Sequence, residues 1–250
     1  MINNIQSFVE KTLSPMMMKI SENTVIRSMS TAMLRAMPVL LGAAVFSLLA
    51  DFPITAVTQF LENINILDNM RNIVSTLNNL NPILFSAMYC YTYAKESDVD
   101  PTPNLLFGIV VYFILMPSTM TVGEEVITTY NAQYMAGNGM FVAIITAIIV
   151  SFIYVFMMKK NITLKLPDSV PTMVSQSFAP IFVGIAIIGA TLLVDFGMEF
   201  TQYGNFFDFV VNVIQAPIIA VGANIPFMIF FYTLLNFLWF FGVHPSALTP

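Results

Sequence analysis

The chain has 250 residues, 57% hydrophobic and only 9% charged, with 23 phenylalanines and a net charge of −5. A soluble domain carries about a quarter charged residues, so this composition cannot cover a water-facing surface; it reads as an all-α, polytopic membrane protein. No basic run exceeds Lys159-Lys160, which argues against a nucleic-acid partner, and Cys90, alone in an apolar stretch, offers neither a disulfide framework nor a metal cluster.

Residues 1–25 place Ile5, Phe8, Val9, Leu13, Met16, Met17 and Ile20 at near-helical spacing, interleaved with Lys11 and Lys19. The segment is too polar to span and lacks the apolar core of a cleavable signal. It is expected to lie on the membrane surface as an amphipathic helix, or to pack on protein in the same form.

Crossing the hydrocarbon takes about 20 mainly apolar residues, and six stretches qualify. The first, near 27–50, carries Arg35 two turns inside Arg27, so Arg35 must reach back to the near interface or face protein. Asp51 to Arg71 is polar and reads as an external hairpin or surface helix. The second stretch, near 74–94, begins with Ser75, Asn78, Asn79 and Asn81, a pattern suited to facing protein or a water-filled cavity. The third, 104–121, is interrupted at Pro117; the fourth, 139–158, is the most uniformly apolar; the fifth lies near 175–197 and the sixth near 222–243. Before the sixth, Asn205 to Pro217 sets Phe206, Phe209, Val210, Val213 and Ile214 on one helical face, as an interfacial helix would. No charge occurs from Phe209 to Val243, yet Asn212, Gln215, Pro217, Asn224, Pro226 and Asn236 interrupt the run and predict a broken or re-entrant path.

Charge placement orients the spans. Lys11, Lys19 and Arg27 precede span one, Lys95 follows span two, and Lys159, Lys160 and Lys165 follow span four. The alternate loops hold Asp51, Glu62, Asp68, Glu124, Glu125, Asp195, Glu199 and Asp208, with Arg71 the basic exception. The positive-inside bias therefore puts the N-terminus in the cytoplasm and returns span six to that side. The organisation is an interfacial segment (1–25), a five-span scaffold (26–200) and a closing region of interfacial helix and sixth span (201–250). Lys159 to Pro180 is the one sizeable insert: alternating Ile162, Leu164 and Leu166 favour an extended piece, and Pro167, Pro171 and Pro180 forbid a continuous helix.

Three residues near the end are the candidate binding groups. His244 comes after the last apolar run and offers one donor and one acceptor when neutral, either to a ligand hydroxyl or as an interfacial cap. Trp239 is either a membrane-interface anchor or a stacking face, and Asn224 must satisfy its amide on a neighbouring helix or on a ligand. No P-loop, no acidic relay in mid-span and no phosphate-accepting group is evident, so neither an ATP-driven pump, an ion-gradient symporter nor a cofactor enzyme is indicated.

The loop LKLPDSVPTMVSQSFAP with the preceding GNGMFVAIITAIIVSFIYVFMMKKNI resembles the enzyme IIC permeases of the sugar phosphotransferase system, in the lactose, cellobiose and diacetylchitobiose branch. The run QAPIIAVGANIPFMIFFYTLLNFLWFFGVHPSALTP, closing on WFFGVH, and the opening IRSMSTAMLRAMPVLLGAAVFSLLADFPI resemble the same branch. The resemblance implies a bacterial inner-membrane component that binds a β-linked disaccharide outside, moves it across by a sliding transport domain, and hands it to phosphorylated IIB, itself charged by IIA. It implies no phosphorylated residue in this chain, since the phosphocysteine belongs to IIB; it makes His244 the sugar-facing group and the early spans a homodimer interface. Family members also continue with further helices, a re-entrant hairpin and a sugar-contacting glutamate. A second reading is therefore a truncated or split, non-transporting membrane scaffold or regulatory partner.

Overall fold

The computed structural model describes residues 22–122, 125–167, 169–222 and 224–240. The expected amphipathic segment at 1–25 lies almost wholly outside them.

Helix α1 (Thr24–Ala50) opens where the Asn23 side chain accepts the Val25 N–H at 2.9 Å. Its buried positions are Ser28, Ala32, Ala36, Ala43 and Ala50, small residues on one stripe. Small side chains let helix backbones approach closely in a membrane, where apolar bulk gives no preference for protein over lipid. Leu34, Leu41, Val45 and Leu48 face outward. A short exposed helix, α2 (Thr55–Asn63), comes next, as expected for the polar 51–71 stretch.

Helix α3 (Leu67–Glu96) is the centre of the bundle. Asp68 in its first turn and Lys95 in its last complement the helix dipole, and Asp98, at φ 58°, turns the chain away. From Pro82 onward it is buried almost all round, including Ile83, Phe85, Ser86, Tyr89, Cys90 and Thr92, because α1 and two later helices surround it. Those two are α4 (Pro101–Leu115) and α6 (Gly137–Lys159). The Asp100 side chain accepts the Thr102 N–H to start α4, and Pro117 holds Met116 extended to end it. Beyond it, β1 (Thr119–Val122) pairs antiparallel with β2 (Glu125–Thr128), Thr119 opposite Thr128; the chain is otherwise helical among the described residues. A single-turn helix, α5 (Ala132–Met135), leads into α6, whose buried stripe runs Gly139, Val142, Ala143, Thr146, Ala147, Val150, Ser151 and Tyr154.

The described residues of the Pro-rich insert before α7 (Thr172–Phe178) form neither helix nor strand after the turn that ends α6, and Leu164 N–H donates to the Ala179 carbonyl at 3.0 Å. Helix α8 (Ile181–Glu199) packs on α4 and α6. The chain continues as α9 (Phe206–Val210), a π turn (Val211–Gln215), α10 (Ala216–Gly222) and α11 (Ile225–Phe240).

Three units are long and apolar enough to cross a membrane: α1, α6 and Thr172–Glu199. The pair Phe206–Ala220 and Ile225–Thr233, bent by 79°, makes a fourth if it is one broken span rather than a re-entrant loop. The six-span count additionally needs α3 and α4. Helix α3 is long enough but rich in Asn and Ser in its first half, and α4 has only 15 residues, about 22 Å of helix. The 205–217 segment, expected to lie at the interface, instead packs on protein: Phe206, Phe207, Val210 and Gln215 are buried, whereas Val213, expected on the apolar face, is 42% exposed.

An ion pair between a basic and an acidic side chain stands at each end of the bundle. Arg27 meets Glu96 at one end of the bundle, where the Tyr154 hydroxyl at the end of α6 also donates to the Asp100 carbonyl at 2.8 Å. Arg71 approaches Asp51 at the other end, at 3.7 Å.

Candidate functional site

Two arrangements of polar side chains organise the interior. The first is a buried seam among α3, α4 and α6. Asn104, fully buried, donates from Nδ2 to the Cys90 carbonyl (2.7 Å) and to Ser151 Oγ (3.1 Å), and Ser86 Oγ donates to the Gly108 carbonyl (3.1 Å). Gly108 makes this contact possible, since a Cβ there would stand 2.5 Å from Cys90 Sγ. The Cys90 thiol itself donates to the Ala147 carbonyl at 3.7 Å. Cys90 is thus the small core residue expected of it, and the seam fastens helices in a medium where each unpaired polar group is costly.

The second arrangement latches the last part of the chain to the bundle. Asp208 N–H donates to Asn205 Oδ1, and Asn205 Nδ2 donates back to Asp208 Oδ2, both at 2.8 Å, so the pair opens α9 and fixes the carboxylate. Tyr134 on α5 donates its hydroxyl to Asp208 Oδ1 at 3.1 Å. Burial, and then the accepting, negatively charged Asp208, push the Tyr134 phenol above its ordinary value. Phe207 is fully buried between Tyr112 and Tyr134, edge-on to each at 5.3 Å. At the end of the π turn, buried Gln215 donates from Nε2 to Asn138 Oδ1 at 3.4 Å, while its Oε1 has no protein partner. A π turn adds a residue to the helical turn and so rotates the next stretch of helix about its axis. Immediately after it the packing stops: residues 216–220 and 224–230 are all exposed.

Of the sequence-predicted binding residues, Asn224 lies at the bend between α10 and α11, exposed, its carbonyl accepting the Met228 N–H at 2.9 Å. Trp239 is in the last turn of α11, about 22 Å of helix away. His244 lies outside the described residues. Asn224 and Trp239 thus stand at opposite ends of α11. The latch residues Asn205, Asp208, Tyr134 and Gln215 did not stand out in the sequence; the Asn-x-x-Asp capping spacing is the signal that marks the first two.

Several hollows open on the surface. One, of about 870 Å³, runs between α4, α7 and α8 and is lined by Leu106, Phe107, Met173, Phe178, Ile185 and Ile188 among others. So apolar a wall suits lipid chains or another helix, not a sugar, whose hydroxyls each need a partner. A more polar cleft of about 360 Å³ lies between α1 and α3, lined by Ser47, Asp51, Arg71, Ser75, Asn78 and Asn79. Of the asparagine cluster, Asn78 is exposed and Asn79 half-buried on this cleft, while Asn81, also half-buried, does not line it. The inner side of α11 carries Ile225, Met228, Ile229, Tyr232 and Thr233 around an open hollow of about 630 Å³. No group of metal ligands occurs among the described residues. The chemistry that the described residues of these hollows offer is hydrogen bonding and apolar contact.

The family model described as "Phosphotransferase system, EIIC" matches residues 30–250. The chain belongs to this family. It is a multi-pass membrane protein of the EIIC type, a class that resides in the bacterial cytoplasmic membrane. Relatives include the galactose-specific EIIC component of Lactococcus lactis subsp. cremoris, 28% identical, with 99% of this chain and 58% of the relative covered. The cellobiose-specific EIIC component of Geobacillus stearothermophilus is 24% identical over 96% of this chain and 55% of its own. In fold, the EIIC chain superposes on the crystal structure of ChbC, the IIC component of the N,N'-diacetylchitobiose-specific system, with a TM-score of 0.86, 24% identity, and 96% of this chain and 58% of that one covered. It spans a little over half the length of these proteins, roughly their N-terminal part.

Proposed function

We propose that the chain forms the scaffold half of a IIC sugar permease that carries a β-linked disaccharide such as cellobiose, lactose or diacetylchitobiose across the membrane. The observation that carries this reading is the family match over residues 30–250, which takes in both the bundle and the bent arm. The sugar would leave to a phosphorylated IIB partner that IIA recharges. The basic end of the bundle, with Arg27, Lys95, Lys159 and Lys160, faces the cytoplasm under the positive-inside bias. Six crossings result if α3 and α4 also span. That is physically acceptable for α3, whose second half is shielded by α1, α4 and α6 and needs no lipid-facing apolarity.

In this reading residues 26–200 are the dimerising scaffold and 201–250 begin the sugar region, with His244, Trp239 and Asn224 as its binding groups. Because Asn224 and Trp239 sit at opposite ends of α11, Asn224 serves the bend, and His244 with Trp239 serves the far end. The test is binding of cellobiose, lactose, galactose and diacetylchitobiose to the purified chain in nanodiscs, with His244→Ala alongside. Saturable binding of one disaccharide, weakened at least about tenfold by the substitution, supports the reading, as loss of a buried hydrogen bond to a ligand has that size. Binding that His244→Ala leaves intact removes His244 from the site. No binding by a folded, dimeric chain makes it a scaffold that lacks a complete site.

A further inference from the structure

Arg35 and Lys95 converge on one aromatic ring. The Arg35 guanidinium lies 5.3 Å from the centre of the Tyr91 ring, and the Lys95 ammonium lies 5.9 Å from the same centre. Both side chains are exposed, and neither has a carboxylate partner among the described residues. The nearest acids are otherwise placed. Glu96 is taken by Arg27, at 2.9 Å, and by the Ser28 hydroxyl, at 3.0 Å, both on Oε2. Asp100 is turned to cap α4, and Asp98, on the turn beyond α3, makes no ion pair.

The depth of this pair is set by helix geometry. Helices α1 and α3 are antiparallel neighbours, and the Arg27–Glu96 ion pair fixes their register at the end of the bundle. Arg35 starts eight residues further in, about 12 Å, and Tyr91 five residues in, about 7 Å. Side chains on a helix lean towards its N-terminus. Arg35 therefore reaches outward along α1 while Lys95 reaches inward along α3, and they meet at the level of Tyr91. The outer face of α1 beside and beyond this point is apolar, with Leu34, Leu41, Val45 and Leu48 exposed. Two uncompensated positive charges thus stand just above a surface fit for acyl chains.

We propose that Arg35, Lys95 and Tyr91 form a binding site for the phosphate of an anionic phospholipid whose chains lie along the outer face of α1. Arg35 donates a planar pair of N–H groups to the phosphate, and Lys95 supplies a second charge. Tyr91 holds the two cations in place when no lipid is bound. Occupancy sets one negative charge between two like charges held at one ring, which relieves their repulsion, and ties α1 to α3 at the end where Arg27 and Glu96 already join them. A free phosphate would use the same donors but gain nothing from the apolar face.

The test is native mass spectrometry of the detergent-purified chain titrated with phosphatidylglycerol, with phosphatidylcholine, and with inorganic phosphate. Phosphatidylglycerol is expected to bind in preference to phosphatidylcholine. Arg35→Gln and Lys95→Gln should each weaken it about fivefold, the usual worth of one basic residue against an anionic lipid. Arg35→Lys, which keeps the charge but not the planar pair of donors, should fall between wild type and Arg35→Gln, and Lys160→Gln, at the exposed end of α6, should leave binding unchanged. Size-exclusion profiles establish that each variant is folded. Lys95→Gln, at an exposed terminal turn, carries the test if Arg35→Gln does not fold. Unchanged lipid binding in the folded variants overturns the proposal, as does an equal loss in Lys160→Gln, which signifies diffuse attraction. Displacement of the lipid by millimolar inorganic phosphate overturns the lipid as the ligand.

Discussion

Helices α6 and α11 are both strongly apolar, yet the protein treats them in opposite ways. Helix α6 buries Val142, Ala143, Ala147 and Tyr154 completely against α3, α4 and α8. Helix α11 leaves Ile225 at 70% exposure and Ile229 and Phe230 at 63%, and its main neighbour is α10. Composition cannot tell them apart, because lipid, a partner helix and a second protein surface all accept Leu, Ile and Phe alike. The spacing of small and polar residues separates them. Gly139, Ala143, Ala147 and Ser151 recur every four residues along α6 and let other backbones come close, whereas 225–240 has no glycine, alanine or serine at all. The scaffold is a set of helices cut to fit one another; the arm is a helix with large side chains on every face, tied to the bundle, among the described residues, through the latch at 205–215.

The largest effects should therefore come from the latch. Phe207→Ala removes a fully buried ring from between Tyr112 and Tyr134 and is expected to cost about 3–5 kcal/mol, read as a fall in the thermal midpoint in detergent. Phe230→Ala, the same chemical change on the exposed arm, should cost less than about 0.5 kcal/mol. Equal costs would mean that the arm is packed after all, and the contrast would fail. Next in size is Asn104→Ala, which leaves the Cys90 carbonyl and Ser151 hydroxyl short of a donor. Interhelical hydrogen bonds in membranes are worth about 0.6–2 kcal/mol, so a loss near the top of that range is expected for a side chain that makes two. If the thermal midpoint does not move, water or a rearranged Ser151 has replaced the amide and the seam is not a fastening.

The sequence made the membrane class and the broken path near Asn224 legible, because each rests on a local property: apolar length, and Pro or Asn within an apolar run. The bend of 79° falls at that interruption. The position of α3 at the centre was not legible: its polar first half suggested a face towards protein or a cavity, yet it is the stretch from Pro82 onward that is buried, and nothing local says that α1, α4 and α6 surround it. The latch was not legible. Asp208 reads in sequence as one more loop acid, and only folding brings it to Tyr134, 74 residues earlier. Asn205 to Gln215 accordingly reads as an interfacial amphipath, when its apolar face is in fact spent on protein. The candidate site is the least legible part, since His244 lies outside the described residues and Asn224 and Trp239 stand at opposite ends of one helix.

The smallest effect is also the most diagnostic of the latch. Tyr134→Phe removes the hydroxyl that donates to Asp208 and little else, and should cost about 0.5–1.5 kcal/mol at neutral pH. The folded-state value of the phenol is raised above its ordinary 10.0 by burial and by Asp208, so the protonated form is the one that folding favours. That contribution is fully present below about pH 10, where the unfolded chain also keeps its proton, and is lost as pH rises through the folded value. Wild type should hence hold a constant advantage over Tyr134→Phe from neutral pH to about pH 10, and the gap should close above it. Because every other tyrosine is common to the two proteins, the difference isolates this hydroxyl. A gap that persists unchanged to the most alkaline pH at which the chain stays folded would show that the proton of Tyr134 is not what holds Asp208, and the arm would then be fixed by Phe207 packing alone.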